Sequence, residues 1–242
     1  MRLTRVYVDE PLAAATRCNV AGSAANHIMR VLRLRDGDAL TLFDGRGGEY
    51  DARITGFRKD SVQVEVQEHR DVERESALDL TLAQGISRGE RMDWVMQKAT
   101  ELGVTRIIPV VTERTMVKLD ERQAERKLQH WRAIVVSACE QCGRNRVPEL
   151  TLPAAYYDVL RTIDPSTTRV LLSPTGTIRA RDLAQPKHVA MLIGPEGGLS
   201  ENEREAAIAA GFQQVRMGPR ILRTETAAIA ALAALQHDFG DI

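Results

Sequence analysis

Three short apolar runs in the second half of the chain each end in a small residue followed by proline. They finish at Ser173-Pro174, Gly194-Pro195 and Gly218-Pro219. Proline has no N–H to donate to a strand ladder, so each run is predicted to be a short buried strand that stops there. Ligands of open α/β sheets bind beyond the carboxyl ends of the strands. The three strand ends therefore predict a tight pocket lined mostly by main chain.

The pattern of elements predicts an α/β protein with two domains. Residues 37–69 alternate apolar and polar side chains between a glycine-rich turn and a charged turn, which is typical of a β meander. A helix is predicted before the meander, at 23–34. From residue 78 onward strands alternate with helices, which indicates a mostly parallel sheet covered by helices. Because the polar stretch 71–76 is the candidate linker, the predicted domains are 1–72 and 73–242.

The second domain has five predicted strands and four predicted helices. The strands are 78–83, 104–111 (interrupted by Pro109), 170–172, 189–193 and 215–217. The helices are 90–102, 121–138, a helix that begins with the capping box at Ser200 and ends near Gly211, and 224–236. The last helix is apolar on almost every side, which indicates burial either against the sheet or in a subunit interface.

Charge and hydropathy exclude some classes of protein. The chain has 33 basic and 33 acidic residues among 242, so its overall charge gives no indication of nucleic-acid binding. Its longest apolar run, 227–235, is much shorter than the roughly 18 residues that cross a bilayer. The first residues, MRLTRVYVDEP, lack the apolar stretch of a secretion signal. We expect a cytoplasmic protein that has no membrane partner.

Several catalytic classes find no support among the motifs. The sequence contains no G-x-G-x-x-G, no P-loop and no G-x-S-x-G elbow. Its five histidines lack metal-ligand spacing, so no metal is predicted. Cys139 and Cys142 form a C-x-x-C, but a structural zinc site needs about four ligands and only Cys18 remains. We interpret Cys139 and Cys142 as ordinary thiols at a helix end.

The loop Gly194-Pro195-Glu196-Gly197-Gly198 joins a predicted buried strand to the capped helix. Its glycines leave the backbone open to close approach by a ligand. Glu196 is the one ionisable group in this loop. Three glycines around one carboxylate are more than a turn requires, so the loop is a candidate binding site.

The stretch 218–226 is the densest group of candidate functional residues. It carries Arg220, Arg223 and Glu225 and enters a helix for which Thr224 is the predicted N-cap. Arg223 and Glu225 also fit an ordinary surface ion pair, which contributes little to stability. Their place beside the predicted crevice favours a functional role.

Several segments resemble the small-subunit ribosomal RNA uridine-N3 methyltransferase family, which belongs to the knotted SPOUT superfamily. They are ISRGERMDWVMQKATELGV (86–104), CEQCGRNRVPE (139–149), LIGPEGGLSENE (192–203) and MGPRILRTETAAIAAL (217–232). The segment HIMRVLRL (27–34), with the meander after it, resembles the PUA-like RNA-binding domain of that family. The resemblance covers essentially the whole chain, and GPEGG followed by RxLRTETA at this spacing is specific to the family.

The resemblance implies a fold, a cofactor and a set of partners. The expected fold is a SPOUT-type parallel sheet with a C-terminal trefoil knot, plus a small N-terminal PUA-like β-barrel domain. The expected methyl donor is S-adenosylmethionine. The expected partners are a second copy of the chain, in a homodimer, and small-subunit ribosomal RNA in the assembled subunit.

The resemblance also implies which residues hold the cofactor and carry the reaction. The expected cofactor-binding residues are Leu172, Ser173, Pro174, Ile193, Gly194, Pro195, Glu196, Gly198, Met217, Gly218, Ile221, Leu222, Arg223 and Thr226. The catalytic candidates are Arg223, Glu196 and Glu225, and the sequence does not choose a general base between the two glutamates. The RNA-binding candidates are Arg30, Arg33, Arg144, Arg146 and Arg220, because phosphates favour arginine.

Three other functions remain open at the level of sequence. A SPOUT enzyme acting on another RNA carries similar motifs. A non-catalytic RNA-binding or ribosome-assembly factor also fits the two domains. A nicotinamide oxidoreductase is the most distant alternative, since the dinucleotide fingerprint is missing.

Overall fold

The computed structural model describes residues 4–116 and 119–242. The chain forms two compact units. The first contains the residues up to Glu75 together with Cys139–Val147, and the second contains Ser76–Ala138 and Pro148–Ile242. The first unit is thus assembled from two separate stretches of sequence, and no sequence pattern indicated that Cys139–Val147 belongs to it. The division into domains 1–72 and 73–242 stays a prediction.

The first unit is built on a five-stranded sheet. Its strands are β1 (Arg5–Tyr7), β2 (Thr16–Ala21), β3 (Ala39–Phe43), β4 (Glu49–Phe57) and β5 (Ser61–Arg70). Their order is β1-β3-β4-β5-β2, with β1 parallel to β3 and the other pairs antiparallel. The predicted meander is confirmed as β3, β4 and β5. The strands alternate because every second side chain enters one apolar core that includes Leu42, Ile54 and Val64.

The helix predicted at 23–34 is present but is not a regular α-helix throughout. An α-helix, α1, covers Gly22–Asn26 and continues as a π-helical segment over His27–Leu32. Arg33 ends it in the left-handed conformation, with φ of 52°. The wider π-helical turn buries Ile28 and leaves Arg30 and Arg33 exposed.

A buried ion-pair network joins the separate stretches of the first unit. Glu49 accepts hydrogen bonds from Arg5 and from Arg74, and it also pairs with Arg70 at 2.9 Å. The other end of the Arg5 guanidinium donates to Asn145 Oδ1 at 2.6 Å. The side chains of Arg5 and Glu49 are 5% and 3% exposed. Both charges are shielded from solvent, so each is stabilised by its ion-pair partners and not by water.

The second unit is built on a parallel sheet. Its strands are β6 (Asp79–Gly85), β7 (Arg106–Val111), β8 (Glu149–Leu150), β9 (Ala154–Ala155), β10 (Thr168–Leu172), β11 (His188–Ile193) and β12 (Gln213–Val215). The order is β12-β10-β11-β6-β7-β8, and β9 also pairs with β7. All of these pairs are parallel, as predicted.

Helices accompany the sheet of the second unit. They are α2 (Glu90–Glu101), α3 (Glu121–Cys142, whose last residues belong to the first unit), α4 (Tyr156–Thr162), α5 (Glu201–Ala209) and α6 (Thr224–Phe239). The capping box that opens α5 is confirmed at Ser200 and Glu203. Helix α6 packs on α2 and β11 and buries Ala228, Leu232 and Leu235. None of the helices in the described residues is long and apolar enough to cross a membrane.

Pro109 does not interrupt its strand, contrary to the prediction. It lies inside β7, opposite Gln84 of β6. On the other side of β7, β8 pairs only with Arg106 and Ile107, and β9 pairs only with Val110 and Val111. Within the described residues no strand faces position 109 on that side, so the missing N–H costs no ladder hydrogen bond. The trefoil knot stays a prediction.

We expect Glu49→Gln to destabilise the protein by about 3 kcal/mol at pH 7, because it leaves the buried Arg5 charge without its counter-ion. Burial raises the pKa of Glu49, but the hydrogen bonds from Arg5 and Arg74 outweigh burial and hold its pKa below the ordinary value. The contribution is therefore present above the unfolded pKa of about 4.3 and is lost as pH falls through the lower folded-state pKa.

Urea denaturation across pH 3 to 7 measures this effect. The difference in the free energy of unfolding between the variant and the unsubstituted protein should become smaller at acidic pH. Glu68→Gln is the matched control, since Glu68 is exposed on β5 of the same unit. Equal stability of the Glu49 variant and the control at pH 7 would contradict the expectation.

Candidate functional site

A cavity of about 650 Å³ lies in the second unit, where β10, β11 and β12 end. These strands are neighbours in the sheet, so the loops that follow them come together at one edge. The following predicted cofactor residues line it: Leu172, Ser173, Pro174, Ile193, Gly194, Pro195, Glu196, Gly198, Met217, Gly218, Ile221, Leu222 and Arg223. Glu225 and Arg220 also line the cavity, whereas the exposed Thr226 does not.

The cavity depends on a close approach between the end of β6 and the loop after β11. A Cβ atom added to Gly85 would overlap Pro195 N and would lie 2.7 Å from the carbonyl carbon of Gly194. A Cβ atom on Gly194 would in turn lie 3.0 Å from the backbone of Gly198. Only glycine at position 85 lets the backbones meet in this way, and a side chain at position 194 would press on the backbone of Gly198. Sequence reasoning identified Gly194 but missed Gly85.

A chain of buried hydrogen bonds fixes the same loop to the start of α6. Gln84 Nε2 donates to Thr224 Oγ1 at 2.9 Å, and Thr224 Oγ1 donates to the carbonyl oxygen of Gly194 at 2.6 Å. The predicted N-cap role of Thr224 is wrong. Arg223 is the N-cap residue, and the Thr224 hydroxyl is already used by Gln84 and Gly194. The hydroxyl connects three segments instead of capping its own helix.

The Glu196 carboxylate accepts hydrogen bonds from residues at or just before the start of α2. Its Oε1 accepts a hydrogen bond from Arg88 N at 2.8 Å and another from Arg91 Nη1 at 2.6 Å. Burial raises the pKa of Glu196, but these hydrogen bonds outweigh it and hold the pKa below the ordinary value. Glu196 is therefore a firmly ionised carboxylate and a weak proton acceptor.

Glu225 has a different environment from Glu196. Its Oε1 lies 3.9 Å from Arg91 Nε, and its side chain is 15% exposed. Its other oxygen, Oε2, is buried and has no hydrogen-bond partner among residues 4–116 and 119–242. Arg91, which pairs with both glutamates, was not predicted, although it lies in the segment 86–104 that carried the family resemblance.

Sequence reasoning missed further cavity residues. They include Arg114, Thr175, Leu199, Glu201, Arg204 and Arg216. Their only sequence signal is a position shortly after a strand end or at the start of α5. Arg114 is fixed in place by donating to the carbonyl oxygen of Gly197 at 2.9 Å.

The predicted RNA-binding arginines of the first unit have unlike environments. Arg30 and Arg33 are exposed, as a phosphate contact requires. The side chain of Arg146 is 55% exposed and pairs with Glu73 at 2.7 Å. Arg144 is 4% exposed and is ion-paired with Glu75. This geometry corrects the prediction for Arg144, because a buried guanidinium that is already paired with a carboxylate is not accessible to a phosphate.

The cysteines of the C-x-x-C lie in the last turn of α3 as free thiols. Burial raises the pKa of Cys139 to about 12. A thiol with such a pKa stays protonated at neutral pH, whereas reactive cysteines have lowered pKa values. Cys139 is therefore an ordinary buried thiol.

Comparison with known proteins identifies the family. The model of an RNA methyltransferase domain matches residues 74–236, and that of an RNA methyltransferase PUA domain matches residues 20–67. The ribosomal RNA small subunit methyltransferase E of Buchnera aphidicola (subsp. Schizaphis graminum) is 34% identical over 100% of this chain and 98% of its own. The chain belongs to the ribosomal RNA small subunit methyltransferase E family.

Two solved structures extend the family relationship to the cofactor. A methyltransferase of Legionella pneumophila, solved with bound SAM, has a TM-score of 0.97 and 42% identity, and the match covers 100% of both chains. A ribosomal RNA small subunit methyltransferase E of Neisseria gonorrhoeae, also bound to S-adenosyl methionine, has a TM-score of 0.93 and 39% identity, again over 100% of both chains. These matches confirm the predicted α/β fold of this methyltransferase E family member.

We expect Gly85→Ala to weaken S-adenosylmethionine binding at least tenfold in this methyltransferase E family member, because the added Cβ displaces Gly194 and Pro195. Titration calorimetry with the cofactor measures the effect. Gly56→Ala on β4 is the control, since its Cβ would meet only the flexible end of Gln63. Unchanged affinity of the Gly85 variant for the cofactor would show that cofactor binding does not depend on the close approach.

Proposed function

We propose that this protein transfers a methyl group from S-adenosylmethionine to N3 of a uridine in small-subunit ribosomal RNA. One observation carries the proposal. The cavity at the strand ends combines a glycine-rich main-chain lining with three carboxylates and six arginines, and the chain belongs to the ribosomal RNA small subunit methyltransferase E family.

The residues of the cavity fit S-adenosylmethionine. Its volume of about 650 Å³ lies within the range of cofactor sites. Gly194, Gly198 and Gly218 leave backbone groups accessible to an adenine ring and a ribose. The predicted cofactor-binding residues that line the cavity would hold the cofactor. When bound, the cofactor supplies an activated methyl group on a sulfonium centre, and the protein must align it with the acceptor.

The uridine N3 atom carries a proton that must be removed before N3 can be methylated. Glu225 is the better acceptor of that proton, since its Oε2 is buried and receives no hydrogen bond from the described residues. Glu196 already uses Oε1 for two hydrogen bonds and has a lowered pKa, which makes it a weak base. We assign proton removal to Glu225 and assign to Glu196 the positioning of its loop against Arg88 and Arg91.

Arg223 completes the proposed mechanism. Its side chain is exposed, lines the cavity and has no carboxylate partner among the described residues. A uracil that loses its N3 proton carries negative charge on N3 and on the two neighbouring carbonyl oxygens. A guanidinium placed beside that charge stabilises it, which is the usual role of a fixed cation in an active site.

The assembly and the location of the reaction are also proposals. The protein acts as a homodimer in the cytoplasm on RNA of the assembled small subunit, and the N-terminal domain binds that RNA. The apolar residues Ile229, Ala230 and Ala233 on α6 are only half-buried within the chain, which supports a subunit contact there. Arg30 and Arg33 are exposed and available for RNA phosphates.

The proposal is tested by incubating the protein with labelled S-adenosylmethionine and undermethylated small subunits, followed by mass spectrometry of the nucleosides. We expect 3-methyluridine as the product. Methylation of another position would show that uridine N3 is not the acceptor atom. Cofactor binding without any transfer would favour a non-catalytic ribosome-assembly factor.

We expect Glu225→Gln to lower kcat by about 10²-fold, the effect of removing a general base. The KM for the subunits and the Kd for the cofactor should change little, because the glutamine keeps the size of the side chain. Glu196→Gln is the matched comparison and should lower kcat much less. A kcat for Glu225→Gln near that of the unsubstituted enzyme would exclude Glu225 as the base.

We expect Arg223→Ala to lower kcat by about 10²- to 10³-fold, because the uracil anion loses its fixed counter-charge. The fold should persist, since the Arg223 side chain makes no capping hydrogen bond at α6. Single-turnover rates with circular dichroism as the folding check measure this. Arg223→Lys should restore part of the rate, and near-normal turnover of the alanine variant would remove Arg223 from the mechanism.

A further inference from the structure

Positive charge is concentrated at the cavity of the second unit. Six arginines and three glutamates line it, which leaves an excess of three positive charges. The whole chain has a net charge of zero. An excess of one sign in a cleft attracts ligands of the opposite charge. The excess therefore indicates an anionic ligand beyond the cofactor, whose sulfonium is itself positive.

Four of the six lining arginines are not neutralised by the protein. Arg91 pairs with Glu196, and Arg204 pairs with Glu201. The other four are exposed and form no ion pair with a carboxylate of residues 4–116 and 119–242. They are Arg114, Arg216, Arg220 and Arg223. Arg114 uses one guanidinium hydrogen on the carbonyl oxygen of Gly197, and the remaining guanidinium donors of these four arginines are available to a phosphate.

The backbones of Arg114 and Arg216 are held in place at two separate points of the sheet edge. Arg114 follows β7, and the amide of the residue before it, Glu113, donates to the buried Glu203 at 2.8 Å. Arg216 follows β12, and its backbone amide donates to Ile178 at 2.9 Å. A hydrogen bond fixes the backbone at or next to each arginine, so each side chain starts from a defined position.

The order β12-β10-β11-β6-β7 places the cofactor loops between these two arginines. Four strand spacings separate β12 from β7, which is about 19 Å. One phosphate cannot span this distance, but the backbone of a short single-stranded segment that carries the target nucleotide can, with one phosphate on each side of the cavity. The N3 atom lies on the Watson–Crick edge of uracil, so the nucleotide must be unpaired when it reacts.

We infer that Arg114 and Arg216 bind the phosphates that flank the target nucleotide, one on each side of the cavity, with Arg220 beside Arg216. The methyltransferase unit thereby has its own contact with the backbone of single-stranded RNA, apart from any contact made by the N-terminal domain. The inference rests on the proposed function for the identity of the anion. Phosphate contacts of this kind position the RNA and carry no sequence information.

The test measures binding of undermethylated small subunits by filter retention at salt concentrations from roughly 50 to 200 mM. Arg114→Gln and Arg216→Gln should each weaken binding and make the slope of log K against log salt shallower by about 0.7. Arg114→Lys and Arg216→Lys keep the charge and should restore the slope. The Kd for S-adenosylmethionine, measured by calorimetry, should stay unchanged for Arg216→Gln.

Arg181→Gln is the matched control, since Arg181 is an exposed arginine of the same unit that does not line the cavity. It should leave both affinity and slope unchanged. The inference is overturned if the Arg114 and Arg216 variants keep the original slope, or if Arg181→Gln changes it equally. If Arg114→Gln also weakens cofactor binding through its contact with Gly197, the Arg216 variant decides the outcome.

The salt dependence of binding, taken together with the nucleoside analysis of the methylation product, distinguishes failure of this inference from failure of the proposed function. Unchanged slopes in the variants, with normal production of 3-methyluridine by the unsubstituted enzyme, would exclude only the phosphate contacts. Altered slopes without any methyl transfer by the unsubstituted enzyme would support the RNA contacts and exclude the proposed reaction.

Discussion

The close approach of Gly85 to Gly194 and Pro195 is the contact on which the functional site depends. It brings the carboxyl end of β6 against the loop after β11 at a distance that no other residue at position 85 allows. The hydrogen bonds from Gln84 to Thr224 and from Thr224 to Gly194 then tie the first turn of α6 to the same loop. Because backbone meets backbone here, the cavity is lined by main-chain groups and has room for a nucleoside.

The ionisable groups of the site differ because their neighbours differ, although two of them are the same residue type. Glu196 is fixed by Arg88 and Arg91 and has a lowered pKa, so it serves the structure of the loop. No group of the described residues donates to one buried oxygen of Glu225, and in the proposed mechanism this oxygen accepts the proton. The lining arginines that form no ion pair within the described residues carry the positive charge to which the proposed mechanism assigns the RNA backbone and the uracil anion. In that mechanism, one loop cluster separates anchoring, proton transfer and charge stabilisation.

The first unit is stabilised in a different way, by a buried polar network instead of close backbone packing. Glu49 lies between Arg5, Arg70 and Arg74, and Arg5 continues to Asn145. Arg144 and Glu75 form a second buried pair nearby. The family segment at 139–149 therefore serves the fold of this unit through Arg144 and Asn145, which explains why a motif rich in arginine need not bind RNA with every arginine.

The sequence by itself determined the ends of β10 and β11, the meander and the capping box of α5, since proline, glycine and period-two alternation act over a few neighbouring positions. The strand predicted at 215–217 ends instead at Val215, three residues before Gly218-Pro219. The sequence also carried the family resemblance, which implied more than half of the residues that line the cavity. The sequence did not determine the role of Thr224 or the burial of Arg144, because each depends on a partner that is distant in the chain. It also contained no signal for the irregular continuation of α1 after Asn26. Arg91, Arg114 and Arg216 became candidates only when the parallel sheet brought the ends of five strands to one edge. Contacts between distant segments are set by packing and by the pairing of buried charges, and only the tertiary structure decides them.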